Sequence, residues 1–123
     1  MPEIRPAGFT NCNFPLGSSW KTSTGYDLHF TLDGNLELTG PKKVKLWESG
    51  TRGRGGAILS MQRDGDLVIY DAARRRAIWS AGTKGNPGAY LDIQDDGNVV
   101  IYTSARKALW STNTARKLNV GHL

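Results

Sequence analysis

Leu91-Asp92-Ile93-Gln94-Asp95-Asp96-Gly97-Asn98-Val99-Val100-Ile101 alternates apolar and polar residues on either side of an Asp-Gly pair. That is the pattern of two strands with one buried face, joined by a tight turn. It occurs twice more without gaps, from Leu28 to Leu38 and from Leu59 to Ile69, so the aspartates before the glycines fall at Asp33, Asp64 and Asp96. The period is 31 and then 32 residues. Three copies in phase mark an internal repeat, each unit a supersecondary element unable to bury its apolar face alone.

The third copy suggests a register. With Gly97 at the loop tip in the left-handed conformation that glycine tolerates, Ile93 is expected opposite Ile101, Gln94 opposite Val100, and Asp92 opposite Tyr102. Leu91, Ile93, Val99 and Ile101 then share a core face, and Asp92, Gln94, Val100 and Tyr102 share a display face. The same rule puts Leu59, Met61, Leu67 and Ile69 inside in the second copy and Leu28, Phe30, Leu36 and Leu38 inside in the first. No polar residue enters any of the three sets, whereas a slip by one residue would invert them.

Each hairpin is followed by an apolar-Trp pair with a Thr four residues after the Trp: Leu46-Trp47 to Thr51, Ile78-Trp79 to Thr83, Leu109-Trp110 to Thr114. A third strand per repeat makes a small antiparallel sheet, and three such sheets can close around an axis lined by Trp47, Trp79 and Trp110. Trp20 to Thr24 repeats the spacing once more. That spare strand either completes a sheet where the chain closes on itself or pairs with a second subunit, giving a homodimer. The expected organisation is a leader over 1–17, capping or disordered, one domain over 18–114 with repeats at about 25–51, 56–83 and 88–114, and a tail over 115–123.

Gln94, Asp96, Asn98, Val100 and Tyr102 occupy alternate positions. On a straight strand the first and last would lie about 26 Å apart at roughly 3.3 Å per residue; folded as a hairpin they converge. Sugar hydroxyls both give and accept hydrogen bonds, which suits an Asp that accepts and Asn, Gln and Tyr that do both, with Val100 as an apolar seat. One shallow site of this kind implies an affinity near millimolar, about −4 kcal/mol.

The run Gln-x-Asp-x-Asn-x-Val-x-Tyr at Gln94 to Tyr102, with the Ile-Trp-Ser ends of the repeats, resembles the mannose-binding motif of the monocot bulb-type (snowdrop-agglutinin-like) lectins over roughly Trp20 to Thr114. The resemblance implies an all-β fold, a β-prism II of three four-stranded antiparallel sheets with pseudo-threefold symmetry and up to three mannose pockets. It implies further that Asp96 and Asn98 hold the sugar's O2, Gln94 its O3 and Tyr102 its O4, with Val100 against the ring carbons. Plant members usually carry a disulfide; Cys12 is the single cysteine here, which points to a bacterial, fungal or other cytoplasmic-type member.

The second copy, Gln62, Asp64, Asp66, Val68 and Tyr70, departs at Asp66, where a carboxylate cannot donate as an amide does and sits beside the like charge of Asp64. The first copy keeps only Asp33 and Asn35 of the five, with Thr31, Glu37 and Thr39 at the other positions, and reads as a structural remnant. Mannose or mannosylated glycans are thus the expected partners.

Other classes find less support. The chain of 123 residues has a formal charge of +5, but its basic residues are dispersed through Arg52–Arg54, Arg74–Arg76, Arg106–Lys107 and Arg116–Lys117, so no nucleic-acid partner is expected. No apolar run approaches the roughly 20 residues of a membrane span, and Met1 to Pro15 lacks the apolar block of a secretory leader; the expectation is a cytoplasmic protein or one released by a leaderless route. His29 and His122 are the only histidines, and with Cys12 they form no nucleophile–base set, so neither catalysis nor a metal or other cofactor is expected. Asp64/Asp66 and Asp95/Asp96 read as turn formers rather than as a glycosidase pair. The alternative is a lectin-like bacteriocin, defence or protein-interaction module that uses the prism as a scaffold.

Overall fold

The computed structural model describes residues 11–115. The terminal segments outside them include Arg116–Lys117 and His122 and most of the expected leader and tail. Eleven short strands follow in chain order: β1 Cys12–Pro15, β2 Ser19–Lys21, β3 Asp27–Phe30, β4 Leu36–Thr39, β5 Lys45–Glu48, β6 Ile58–Met61, β7 Leu67–Tyr70, β8 Ala77–Ser80, β9 Tyr90–Ile93, β10 Val99–Tyr102 and β11 Ala108–Ser111. They form three antiparallel sheets, in the orders β2-β3-β4-β5, β1-β6-β7-β8 and β9-β10-β11. No helix among the described residues is long and apolar enough to cross a membrane.

The alternating pattern does what it implies. All twelve residues assigned to the three core faces are at most 2% exposed and form one cluster. The apolar-Trp pairs obey a different rule. Strict alternation would bury one residue of each pair, yet Leu46, Trp47, Ile78, Trp79, Leu109 and Trp110 all pack on the core. The register shifts between Leu38 and Thr39, between Ile69 and Tyr70, and between Ile101 and Tyr102. A bulge on the facing strand lets two consecutive side chains turn inward. The three tryptophans then meet edge to face, with ring centroids 5.5 to 5.9 Å apart, the arrangement aromatic quadrupoles favour.

The threonine four residues after each Trp locks its own hairpin. Thr51, Thr83 and Thr114 are buried and donate through Oγ1 to the carbonyls of Gly34, Gly65 and Gly97 at 2.6, 2.7 and 2.6 Å. Each hairpin loop is also held by a segment that lies between the repeats or ahead of them: Gly53 N–H donates to the Asp33 carbonyl, Gly85 and Asn86 N–H donate to that of Asp64, and Thr24 Oγ1 donates to that of Asp95 at 2.7 Å. The last contact joins the third repeat to the start of the first and closes the ring.

Two expectations need correction, and two segments left open by the sequence form strands that pair within the described chain. The hairpin register is displaced by two residues: Ile93 faces Val99, Asp92 faces Val100 and Tyr90 faces Tyr102. Gly97, at φ +92°, is the last residue of a three-residue loop rather than its tip: its N–H donates to the Gln94 carbonyl while Gln94 N–H donates to that of Asn98, a type I turn closed by a left-handed residue. Because the displacement is even, every side chain keeps its face. The third sheet has three strands among the described residues rather than four, since the outer strands of the other two sheets both come from the chain ahead of the first hairpin. The Trp20 strand, β2, pairs with β3 of its own chain. Residues 12–15, assigned from sequence to the leader, form β1 along β6.

Candidate functional site

In the third repeat the five motif residues lie on one side of the β9–β10 hairpin, for reasons local to that hairpin. Asp96 sits in the loop, where its Oδ1 accepts the backbone N–H of Asn98 at 2.9 Å. Asn98 Oδ1 accepts from Thr112 Oγ1 and from Thr114 N–H, both at 3.2 Å, so the amide oxygen serves the framework and Nδ2 is its other polar end. Gln94 Nε2 donates to Tyr102 Oη at 2.8 Å and to Asp92 Oδ2 at 3.3 Å. This fixes the amide across the hairpin, above Val100, which is 3% exposed.

Sequence reasoning did not single out three neighbours of this cluster. Asp92, 2% exposed, anchors Gln94. Tyr90 lies with its ring centroid 5.7 Å from that of Tyr102. The Arg106 guanidinium stands 5.0 Å from the Tyr102 ring centroid and donates through Nη1 to Tyr90 Oη at 2.9 Å. Asp92 was visible as an acidic residue on the display face; nothing local in the sequence links Arg106 to Tyr102.

The second hairpin repeats the five motif positions with one change of atom, and has Ser60 and Ile58 in place of Asp92 and Tyr90. Gln62 Nε2 donates to Tyr70 Oη, and Asp64 Oδ1 accepts Asp66 N–H at 3.0 Å. Asp66 Oδ1 accepts from Gly82 N–H and Thr83 N–H at 3.1 and 3.0 Å, with Ser80 Oγ 3.3 Å from Oδ1 and 3.2 Å from Oδ2. The framework needs only an acceptor here, and carboxylate and amide supply one equally well. Val68 is 3% exposed, like its counterpart Val100.

No family model and no curated protein matches the chain; solved structures do. A monomeric monocot mannose-binding lectin from Gastrodia elata is 34% identical, covering 94% of this chain and 99% of its own, with a TM-score of 0.79. The chain belongs to the bulb-type, snowdrop-agglutinin-like lectin family. A Japanese Marasmius oreades lectin is 31% identical over 88% of this chain and 90% of its own (TM-score 0.78). The mannose-specific agglutinin from snowdrop (Galanthus nivalis) bulbs, complexed with methyl-α-D-mannoside, is 31% identical over 81% of this chain and 91% of its own (TM-score 0.71).

This bulb-type lectin treats its first repeat differently. Asn35, fully buried, uses Oδ1 for Gly50 N–H, Thr51 N–H and Ser49 Oγ, as its counterparts do. Its Nδ2 donates to Glu37 Oε2 at 2.7 Å and to Glu48 Oε1 at 2.8 Å. Arg52 bridges Glu37 and Asp33, donating through Nη2 and Nη1, both at 2.9 Å. Lys45 lies 3.1 Å from Glu48, and His29 Nε2 lies 3.5 Å from Glu37 Oε1. The hydrogen bond from the Thr31 hydroxyl, followed by the charge of Arg52, holds the Asp33 carboxyl below the usual range; bonds from Asn35 and then Lys45 do the same for Glu48. A cavity of about 740 Å³ opens over this repeat, lined in part by Leu32, His29 and Arg52. Its volume does not make it the hexose site: the polar groups a hexose would use are bonded to one another.

Proposed function

We propose that the chain is a non-catalytic lectin that binds mannose or mannose-containing glycans at the third hairpin, through Gln94, Asp96, Asn98, Val100 and Tyr102. The observation that carries this reading is the Gln94–Tyr102 hydrogen bond spanning the buried Val100. It preorders an amide, a phenol and an apolar floor on one small surface before any ligand arrives, so little freedom is lost on binding. The Asn98 amide nitrogen and the Asp96 carboxylate complete a set able both to give and to accept hydrogen bonds. Family membership supports the same reading: the snowdrop relative is a mannoside complex, and Tarin lectin, a further relative, is bound to trimannose.

Such a site selects by stereochemistry. An epimer that covers one of these half-buried polar groups and leaves it unpaired forfeits about 1–3 kcal/mol. The second hairpin, with Gln62, Asp64, Asp66, Val68 and Tyr70, is a further sugar site; Asp33 and Asn35 in the first belong to a site closed by its own ion pairs. A homodimer formed by strand pairing would multiply weak sites into useful avidity.

A glycan array together with titration by methyl α-mannoside tests the assignment. Gln94→Ala and Tyr102→Phe are the informative variants, because Asn98→Ala would also remove the acceptor for Thr114. Unchanged mannoside binding in both would refute the site, and a wild-type protein that binds no glycan would favour the interaction-module reading.

A further inference from the structure

Taking the second hairpin to be a sugar site, as proposed above, its five motif positions differ from those of the third in one functional group, while beside them Ser60 and Ile58 stand where the third hairpin has Asp92 and Tyr90. Gln62 reproduces Gln94, Tyr70 reproduces Tyr102, Val68 reproduces Val100, and the loop hydrogen bonds correspond one for one. At the fourth position an amide nitrogen that donates is exchanged for a carboxylate oxygen that only accepts. Asp66 is 8% exposed and lies next to Asp64 in the loop, and neither has an ion-pair partner within 4.0 Å among the described residues. In the first repeat, by contrast, Glu37, an acid buried to the same degree, has Arg52 within 2.9 Å and Lys45 within 3.9 Å.

A carboxylate held out of water without a counter-ion is an electrostatically incomplete group, and its desolvation cost is offset when a cation reaches it. Backbone N–H groups of Gly82 and Thr83 satisfy Oδ1; Oδ2 has only the side contact with Ser80. The guanidinium of Arg74 is 5.9 Å from the Tyr70 ring, at the strand end of the hairpin and away from the loop that carries the two acids. We propose that the second hairpin takes a sugar bearing a protonated amino group in preference to a neutral hexose, and that Asp66 sets this preference. An ammonium donates three hydrogens and needs no acceptor partner, which matches a loop that offers two carboxylates and has lost its amide donor. The two hairpins of one chain thereby read different sugars.

The test uses the full chain and four probes, methyl α-mannosides with one hydroxyl replaced by an amino group at C2, C3, C4 or C6, alongside methyl α-mannoside itself. NMR titration at neutral pH follows the side-chain amides of Gln62 and Gln94 separately. The expected result is that at least one amino sugar saturates the Gln62 signal at a concentration lower by about three- to tenfold than methyl α-mannoside does, since charge-assisted bonds are roughly twice as strong as neutral ones. The gain should vanish when the pH is raised until the amine is neutral. Asp66→Asn keeps the framework acceptor and should abolish the preference; Asn98→Asp should create it in the third hairpin. If no amino sugar is preferred at Gln62, or if Asp66→Asn leaves the preference intact, the inference is overturned while mannoside binding at Gln94 still stands. If no sugar moves either signal, the lectin assignment itself fails.

Discussion

The first and third hairpins have the same backbone, the same buried apolar quartet and the same Asp-Gly turn, yet one presents its polar groups and the other consumes them. In both, the Asn carbonyl oxygen is tied to the segment just beyond the last strand of its repeat, at Thr51 in one and Thr114 in the other. The amide nitrogen decides the outcome. In the third hairpin it makes no hydrogen bond among the described residues; in the first it is bonded to Glu37 and Glu48, which Arg52 and Lys45 hold in turn. A binding surface and an internal ion-pair network are thus alternative uses of one scaffold. The choice rests on whether the position between the two hydrogen-bonding ends is Val100 or Glu37.

The comparison can be broken most severely at Asn35. Asn35→Ala should cost about 2–4 kcal/mol in chemical denaturation, because it strands two backbone N–H groups and loosens a buried carboxylate. Asn98→Ala, whose amide serves fewer internal partners, should cost less stability and remove mannoside binding at the third hairpin. Equal losses in the two variants would mean that the ion-pair network contributes nothing to the fold.

Gly97→Ala comes next. The position has φ +92°, and an added Cβ would stand 2.6 Å from the Tyr26 ring. Left-handed strain of about 1–2 kcal/mol is joined there by overpacking, for a total of about 2–3 kcal/mol. Gly50→Ala, with φ +75° and nothing within 4 Å of the new carbon, should show only the strain. Thermal melts of the two variants separate the contributions.

A smaller effect is expected from Gln94→Ala, which should weaken mannoside binding by about three- to tenfold, the worth of about one hydrogen bond, while Thr31→Ala at the corresponding position of the first repeat leaves it unchanged. Isothermal titration measures both. The smallest effect concerns acid. The carboxyls of Asp33 and Glu48 are held below their usual range, so the stability they lend is complete above the ordinary carboxylate range of about 4 and is lost as pH falls through their lowered values. Both are solvent-exposed, so the change is slight; a pH series of melts on wild type and Glu48→Gln should converge at the acid end.

How legible was all this in the chain of letters? The period-two alternation fixed which residues face the core, since burying the wrong parity would put Gln94 or Asp64 among leucines. The Gln-x-Asp-x-Asn-x-Val-x-Tyr run located the candidate site, and the repeated Trp located the axis, while the Thr four residues later stood out by its spacing and showed its part as a hairpin lock only in the structure. These are local matters, settled by residues a few positions apart. The pairing register was not legible, because a two-residue displacement preserves every face and only the turn's hydrogen bonds distinguish the alternatives. Nor were the bulges that bury Leu109 with Trp110, the seating of Arg106 on Tyr102, the capture of the Asn35 amide by Glu48, or the closure of the ring by Thr24 on Asp95. Those contacts depend on the directions of side chains that meet only after the sheets have twisted and packed. The repeat and its alternation therefore determined three sheets with one buried face each and which copy keeps the full motif, while only the tertiary structure decided how the first copy's polar groups are used, because Glu37, Glu48 and Arg52 meet the Asn35 amide and Asp33 only once the strands have packed.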